Sequence, residues 1–109
     1  MTQLSRYNFA DEIELSDVAA VVFTAPWCSF CKSMEKVCEE VEKLCPQVSF
    51  FKVDIDENPE LSEKYEVRSV PSTVFFKGKD MRGRKTGLMS KKELYDSVSA
   101  VSEEKTSVI

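Results

Sequence analysis

Two stretches of this 109-residue chain leave little choice of architecture. Ala19-Ala20-Val21-Val22-Phe23-Thr24 is a continuous apolar, β-prone run, and Val48-Ser49-Phe50-Phe51-Lys52-Val53-Asp54 is nearly so. A strand with one wet face alternates apolar and polar residues, so a strand that does not alternate must be covered on both faces. Between the two runs the period changes. From Cys28 to about Cys45, Met34, Val37, Val41 and Leu44 recur at steps of three and four, while Glu35, Lys36, Glu39, Glu40, Glu42 and Lys43 are placed toward water. Pro26 stops the first strand and Pro46 ends the helix.

The remaining elements follow from local signals. Ser5 or Asn8 is expected to cap a short helix carrying Phe9, Ile13 and Leu15 and ending near Ser16, with room for an extra edge strand before Tyr7. Asn58-Pro59 is a cap followed by an N1 proline, opening a short helix over Glu60 to Tyr65. Ser72 to Lys77 predicts a third strand, which Gly78-Lys79-Asp80 turns into a short partner from Met81 to Thr86. Ser90-Lys91-Lys92-Glu93 is a capping box ahead of Leu94, Val98 and Val101. Residues 103–109 are expected to fray. The fold class is therefore α/β: one domain over 1–109, with a mixed four- or five-stranded sheet flanked by helices on both faces.

Charge and composition exclude several functions. With a net charge of −4 and no basic cluster, no nucleic-acid partner is expected. Val18 to Ala25, the longest apolar run, is too short to span a bilayer, so no membrane association is expected. Residues 1–6 lack the charged start and apolar stretch of a signal peptide, which predicts a cytoplasmic setting. The chain has no His, which removes His-ligated zinc, protease dyads and His general bases.

The chemistry lies in four cysteines: Cys28, Cys31, Cys38 and Cys45. Cys28 follows a buried strand and opens a helix, where first-turn N–H groups and the helix dipole favour a thiolate. Cys31 lies three residues on, one turn deeper on the same face and within bonding reach. Such a pair exchanges disulfides: one thiolate attacks, and the second displaces the mixed disulfide. Trp27 offers a flat apolar shield and Lys32 adds positive charge. Cys38 and Cys45 are spaced too far along the helix to close a four-cysteine zinc site, so no metal is expected. They are read as small core or boundary residues, with Cys45 the more exposed.

Ala25-Pro26-Trp27-Cys28, Cys31-Lys32, Lys52-Val53-Asp54-Ile55-Asp56-Glu57-Asn58-Pro59, Tyr65-Glu66-Val67-Arg68-Ser69-Val70-Pro71-Ser72-Thr73 and Gly87 resemble the thioredoxin family in order and spacing. The match covers about residues 4 to 102. It implies a thioredoxin fold and an enzyme that reduces protein disulfides with no bound cofactor, its redox group being the Cys28–Cys31 disulfide itself. The resemblance makes Cys28 the nucleophile, Cys31 the resolving thiol and Pro71 a cis-proline facing them. Trp27 and Lys52 support the site, and Trp27, Phe30, Val70, Pro71 and Gly87 meet the substrate. The electron donor it implies is a thioredoxin reductase, acting on a monomer.

The departures are specific. Val22 stands where the family usually has a buried Asp, which leaves Lys52 without that partner and sends the proton of Cys31 through water or another group. Lys36 replaces a helix-kinking proline and predicts a straighter helix. Phe30 precedes Cys31 where thioredoxins usually have proline, so its N–H is expected to stabilise the Cys28 thiolate and make the disulfide more oxidising than thioredoxin's. The Phe30 ring either docks on substrate or folds back on the domain. Two other functions stay open: a glutathione-linked glutaredoxin- or isomerase-like enzyme, and a non-catalytic adaptor that binds through Trp27 and Pro71.

Overall fold

The computed structural model describes residues 1–104. Among them are β1 (Thr2–Leu4), α1 (Phe9–Leu15), β2 (Val18–Thr24), α2 (Ser29–Leu44), β3 (Val48–Asp54), α3 (Pro59–Lys64), β4 (Ser72–Lys77), β5 (Asp80–Thr86) and α4 (Lys91–Glu103). The strands form one five-stranded sheet in the order β1-β3-β2-β4-β5. β1 is the anticipated extra edge strand, so the sheet has the larger of the two expected strand numbers. β1 and β2 each run parallel to β3, while β4 is antiparallel to both β2 and β5. Of the tail expected to fray, Glu103 closes α4 and Glu104 is its C-cap, and residues 105–109 lie outside the described residues.

β2 divides the apolar interior. Val18, Ala20 and Val22 pack with Met34, Cys38 and Val41 of α2 and with Leu94, Val98 and Val101 of α4. Ala19, Val21 and Phe23 pack instead with Phe9 and Ile13 of α1 and Leu61 of α3. Successive strand residues point to opposite faces, so a strand that is apolar from Val18 to Phe23 can supply two cores. Parallel pairing of β2 with β3 requires a crossover, and α2 is that crossover.

α2 runs without interruption from Ser29 to Leu44, as Lys36 in place of a proline leads one to expect. Its buried stripe differs from the expected one. Cys31, Met34, Cys38 and Val41 are buried along the helix, Val37 is only partly so, and Leu44 is 53% exposed. Cys45, expected at the boundary, is 3% exposed because the chain turns there and carries its side chain into the α2/α4 core. Cys31, Cys38 and Cys45 fill this face as small apolar residues, which sets it one position on from Val37 and Leu44.

The caps also divide into local and non-local cases. Ser90 and Glu93 form the full capping box of α4. Neither Asn8 nor Asn58 caps its own helix by side chain. Asn8 Oδ1 accepts from the Ser5 N–H at 2.8 Å, and Asn58 Oδ1 accepts from the Arg6 N–H at 2.9 Å, tying α3 to the segment after β1.

Met34 is fully buried, and its sulfur accepts the Met89 N–H at 3.4 Å. Met34→Ala should lower unfolding free energy by about 2–5 kcal/mol. Leu44→Ala should change it by no more than about 0.5 kcal/mol, as for an exposed side chain. Urea denaturation of both variants checks the assignment of the buried face, and equal losses would contradict it.

Candidate active site

β2 ends at Thr24, and four residues later Cys28 is the N-cap of α2. Its backbone is extended, with φ −98° and ψ 110°, and its sulfur accepts the Cys31 N–H at 3.2 Å. A helix start leaves such N–H groups without partners, and a cap side chain normally satisfies one of them. Here a sulfur does so, which places it where the helix favours negative charge. The Cys28 thiol also donates to the Val70 carbonyl at 3.7 Å. The N–H that reaches Cys28 is therefore that of Cys31, and among the described residues Phe30 donates none to it. Every C-x-x-C helix start can offer that same N–H, so the expected effect of Phe30 on the potential loses its hydrogen-bond basis.

All four cysteines are free thiols. Cys28 is 7% exposed and Cys31 1%, and the two pack with Ala25, Ile55 and Val70. Burial, first of all, pushes the Cys31 thiol up to about 12. The hydrogen bond with Cys28 and the negative charges of Cys28 and Glu35 add to this, while a backbone hydrogen bond from Ala25 opposes it. Cys38 is pushed up to about 12, chiefly by burial and then by Glu35, Glu42 and Glu39. Burial also raises Cys45. Among the described residues no cluster of three or more His, Cys, Asp or Glu could hold a metal ion.

Around the pair, Trp27 is 69% exposed and donates its indole N–H to Asp56 Oδ2 at 3.1 Å. Phe30 is 64% exposed, so its ring stands clear of the domain. The Val70–Pro71 peptide is cis. Pro71 accepts the Gly87 N–H at 2.7 Å, which brings Gly87 beside the proline loop. Gly87 has φ +94°, a backbone that side-chain-bearing residues rarely adopt, and a Cβ there would face open space. The structure thus gathers Trp27, Cys28, Phe30, Cys31, Val70, Pro71 and Gly87 at one end of the sheet.

Lys52 stands apart from that group. It lies opposite Val22 in the β2–β3 register, and its ammonium pairs with Glu35 Oε1 at 2.8 Å. Lys52 therefore has a carboxylate partner, supplied by α2 and not by β2. Glu35 was placed on the solvated helix face, and its role was missed. Its spacing of four from Cys31 was the available signal, since such residues share a face.

The family model described as Thioredoxin matches residues 1–100. The chain belongs to the thioredoxin family. It is 39% identical over 97 residues to a thioredoxin of Chlamydia trachomatis, covering 88% of this chain and 93% of that one. With a thioredoxin of Rickettsia bellii it shares 37% over 94 residues, covering 84% and 90%. A mutant thioredoxin from Halobacterium salinarum superposes with a TM-score of 0.89 at 27% identity, covering 96% of this chain and 93% of that one. The activity that follows is thiol–disulfide oxidoreduction, with the protein's own cysteines and no bound cofactor as the redox group.

The raised thiols make a pH prediction. Folding keeps Cys31 and Cys38 protonated near 12, whereas an unfolded thiol ionises near its ordinary 9.0. Their contribution is therefore complete below pH 9 and is lost as pH rises toward 12. Urea midpoints of the reduced protein should fall between about pH 8 and about pH 10, and Cys38→Ala should shrink that fall. The same fall in the variant would show that Cys38 is not the group involved.

Proposed function

We propose that this thioredoxin-family chain is a protein-disulfide reductase in which Cys28 attacks and Cys31 resolves. The observation that carries the reading is the unequal placement of the two sulfurs. Cys28 caps the helix at the mouth of the site, while Cys31 is buried one turn deeper with its thiol held protonated. The outer sulfur meets a substrate disulfide first. Its attack leaves a mixed disulfide, and Cys31 then bonds to Cys28 and expels the substrate thiol.

Trp27 and Phe30 supply exposed apolar surface on which a protein substrate rests, and Val70, Pro71 and Gly87 form the opposite wall. Electrons come from a thioredoxin reductase. The chain works as one domain and as a monomer in the cytoplasm, carrying electrons in cell redox homeostasis. In support, Cys38 and Cys45 remain unpaired thiols inside the core, as suits a reducing compartment. None of the described helices is long and apolar enough to cross a membrane.

Insulin reduction tests the activity, driven first by dithiothreitol and then by NADPH with thioredoxin reductase or by glutathione. Turnover should follow thioredoxin reductase and not glutathione. Cys28→Ser should abolish reduction, while Cys31→Ser should accumulate a mixed disulfide with the substrate, visible by mass spectrometry. Full turnover by Cys28→Ser would refute the assignment.

A further inference from the structure

Resolution by Cys31 has a requirement that the cysteine pair does not meet. Cys31 is 1% exposed, and burial, the largest cause of its raised thiol, persists when Cys28 is bonded to substrate, so the resolving sulfur is held protonated at neutral pH. The chain has no His to take the proton. The charged and titratable groups about Cys31 can be taken in turn. On α2 and its cap these are Cys28, Lys32, Glu35, Cys38 and Glu39, and on β3 they are Lys52 and Asp54. Cys28 is bonded to the substrate at that moment, and Cys38 is itself a buried thiol held protonated. Lys32 and Lys52 are cations and accept nothing. Asp54 spends Oδ1 on the Asp56 and Glu57 N–H groups at 2.8 and 3.3 Å, and of the two cleft carboxylates Glu35, not Asp54, acts on the charge of the Cys31 sulfur. Glu39 is exposed and one helical turn further away.

Glu35 remains. It is four residues beyond Cys31 on α2, half-buried, and fixed by the 2.8 Å ion pair with Lys52. A polar cleft of about 170 Å³ has Glu35, Asp54, Lys32, Lys52, Thr24 and Ala25 among its lining residues. Ala25 also belongs to the cluster that buries Cys31, so one residue of the cleft lining stands next to the resolving thiol. The space holds a few waters, enough for one to link a thiol to a carboxylate.

We propose that Glu35 is the proton acceptor for Cys31 through water in this cleft, with Lys52 holding its carboxylate in position. The inference rests on Cys31 being the resolving thiol. In the step, the Cys31 S–H proton passes to water and thence to the Glu35 carboxylate. The Cys31 sulfur bonds to the Cys28 sulfur, the Cys28–substrate bond breaks, and its electron pair leaves on the substrate sulfur. That thiolate takes a proton from solvent, and Glu35 returns its own proton through the cleft. The substrate has gained two electrons and two protons, and the cysteine pair has given them.

The charge of Glu35 makes the test directional. Its negative charge opposes ionisation of Cys31, so as a mere neighbour it would slow resolution and its removal would speed it. As a proton acceptor, its removal slows resolution. Single-turnover reduction of two identical peptides joined by one disulfide separates the steps. Attack by Cys28 releases the first peptide and resolution releases the second, each counted after acid quenching. Glu35→Gln should leave the first release unchanged and slow the second by about 10- to 100-fold near neutral pH. The deficit should narrow as pH rises and hydroxide substitutes, and Glu35→Asp should recover part of the rate. A second release that is unchanged, accelerated, or slowed only in step with the first would overturn the role of Glu35. Second release persisting in Cys31→Ser would overturn the resolving role of Cys31 itself, and this proposal with it.

Discussion

β2 is buried along all seven of its residues, and its alternate side chains belong to two different cores. A shift of one residue would exchange the α2/α4 set for the α1/α3 set, with Phe23 pressed where Val22 packs beneath α2. The register is therefore held from both faces at once, and so is the point at which the strand stops. That point decides the chemistry. Four residues past Thr24 the chain must begin a helix that crosses over to β3, and the residue at the turn is Cys28. The reacting sulfur owes its place at a helix N-terminus to the packing of a strand that is apolar from Val18 to Phe23.

The same packing makes the two cysteines unequal. Cys28 sits at the cap, where its sulfur completes the hydrogen bonding of the helix start. Cys31 is one turn inside, in apolar surroundings that oppose charge on its sulfur. Exchange chemistry is ordered when one sulfur reaches out and one waits, because a second thiolate formed early would compete with Cys28 for the substrate disulfide. The cost of waiting is a proton that must be removed on demand. The Glu35–Lys52 pair stands beside the cleft through which that proton can leave.

How far the sequence was legible follows from the range of each interaction. The buried strands and the Ser90–Glu93 box were legible because their signals are local: unbroken apolar runs, and a cap with its partner three residues on. The cis bond at Pro71 was expected from the family pattern and is present. Asn58 misled because its side chain is taken by the Arg6 N–H, 52 residues away. Leu44 misled because the stripe of α2 includes cysteines, which pack as small apolar residues here. The Glu35–Lys52 pair spans 17 residues between two elements, and neither residue announces the other. Once Lys52 was known to lie opposite Val22, a carboxylate from the covering helix was the remaining candidate partner.

The central claim is the division of labour between an outer and an inner sulfur, and alkylation of the reduced protein tests it most directly. Iodoacetamide at limiting concentration near neutral pH, with mass spectrometry of the peptides, gives the reaction rate at each cysteine. Cys28 should be modified first and alone, with Cys31 gaining label only as pH climbs toward the about 12 at which burial holds its thiol. Label appearing on Cys31 first, or on both at equal rates, would contradict the account.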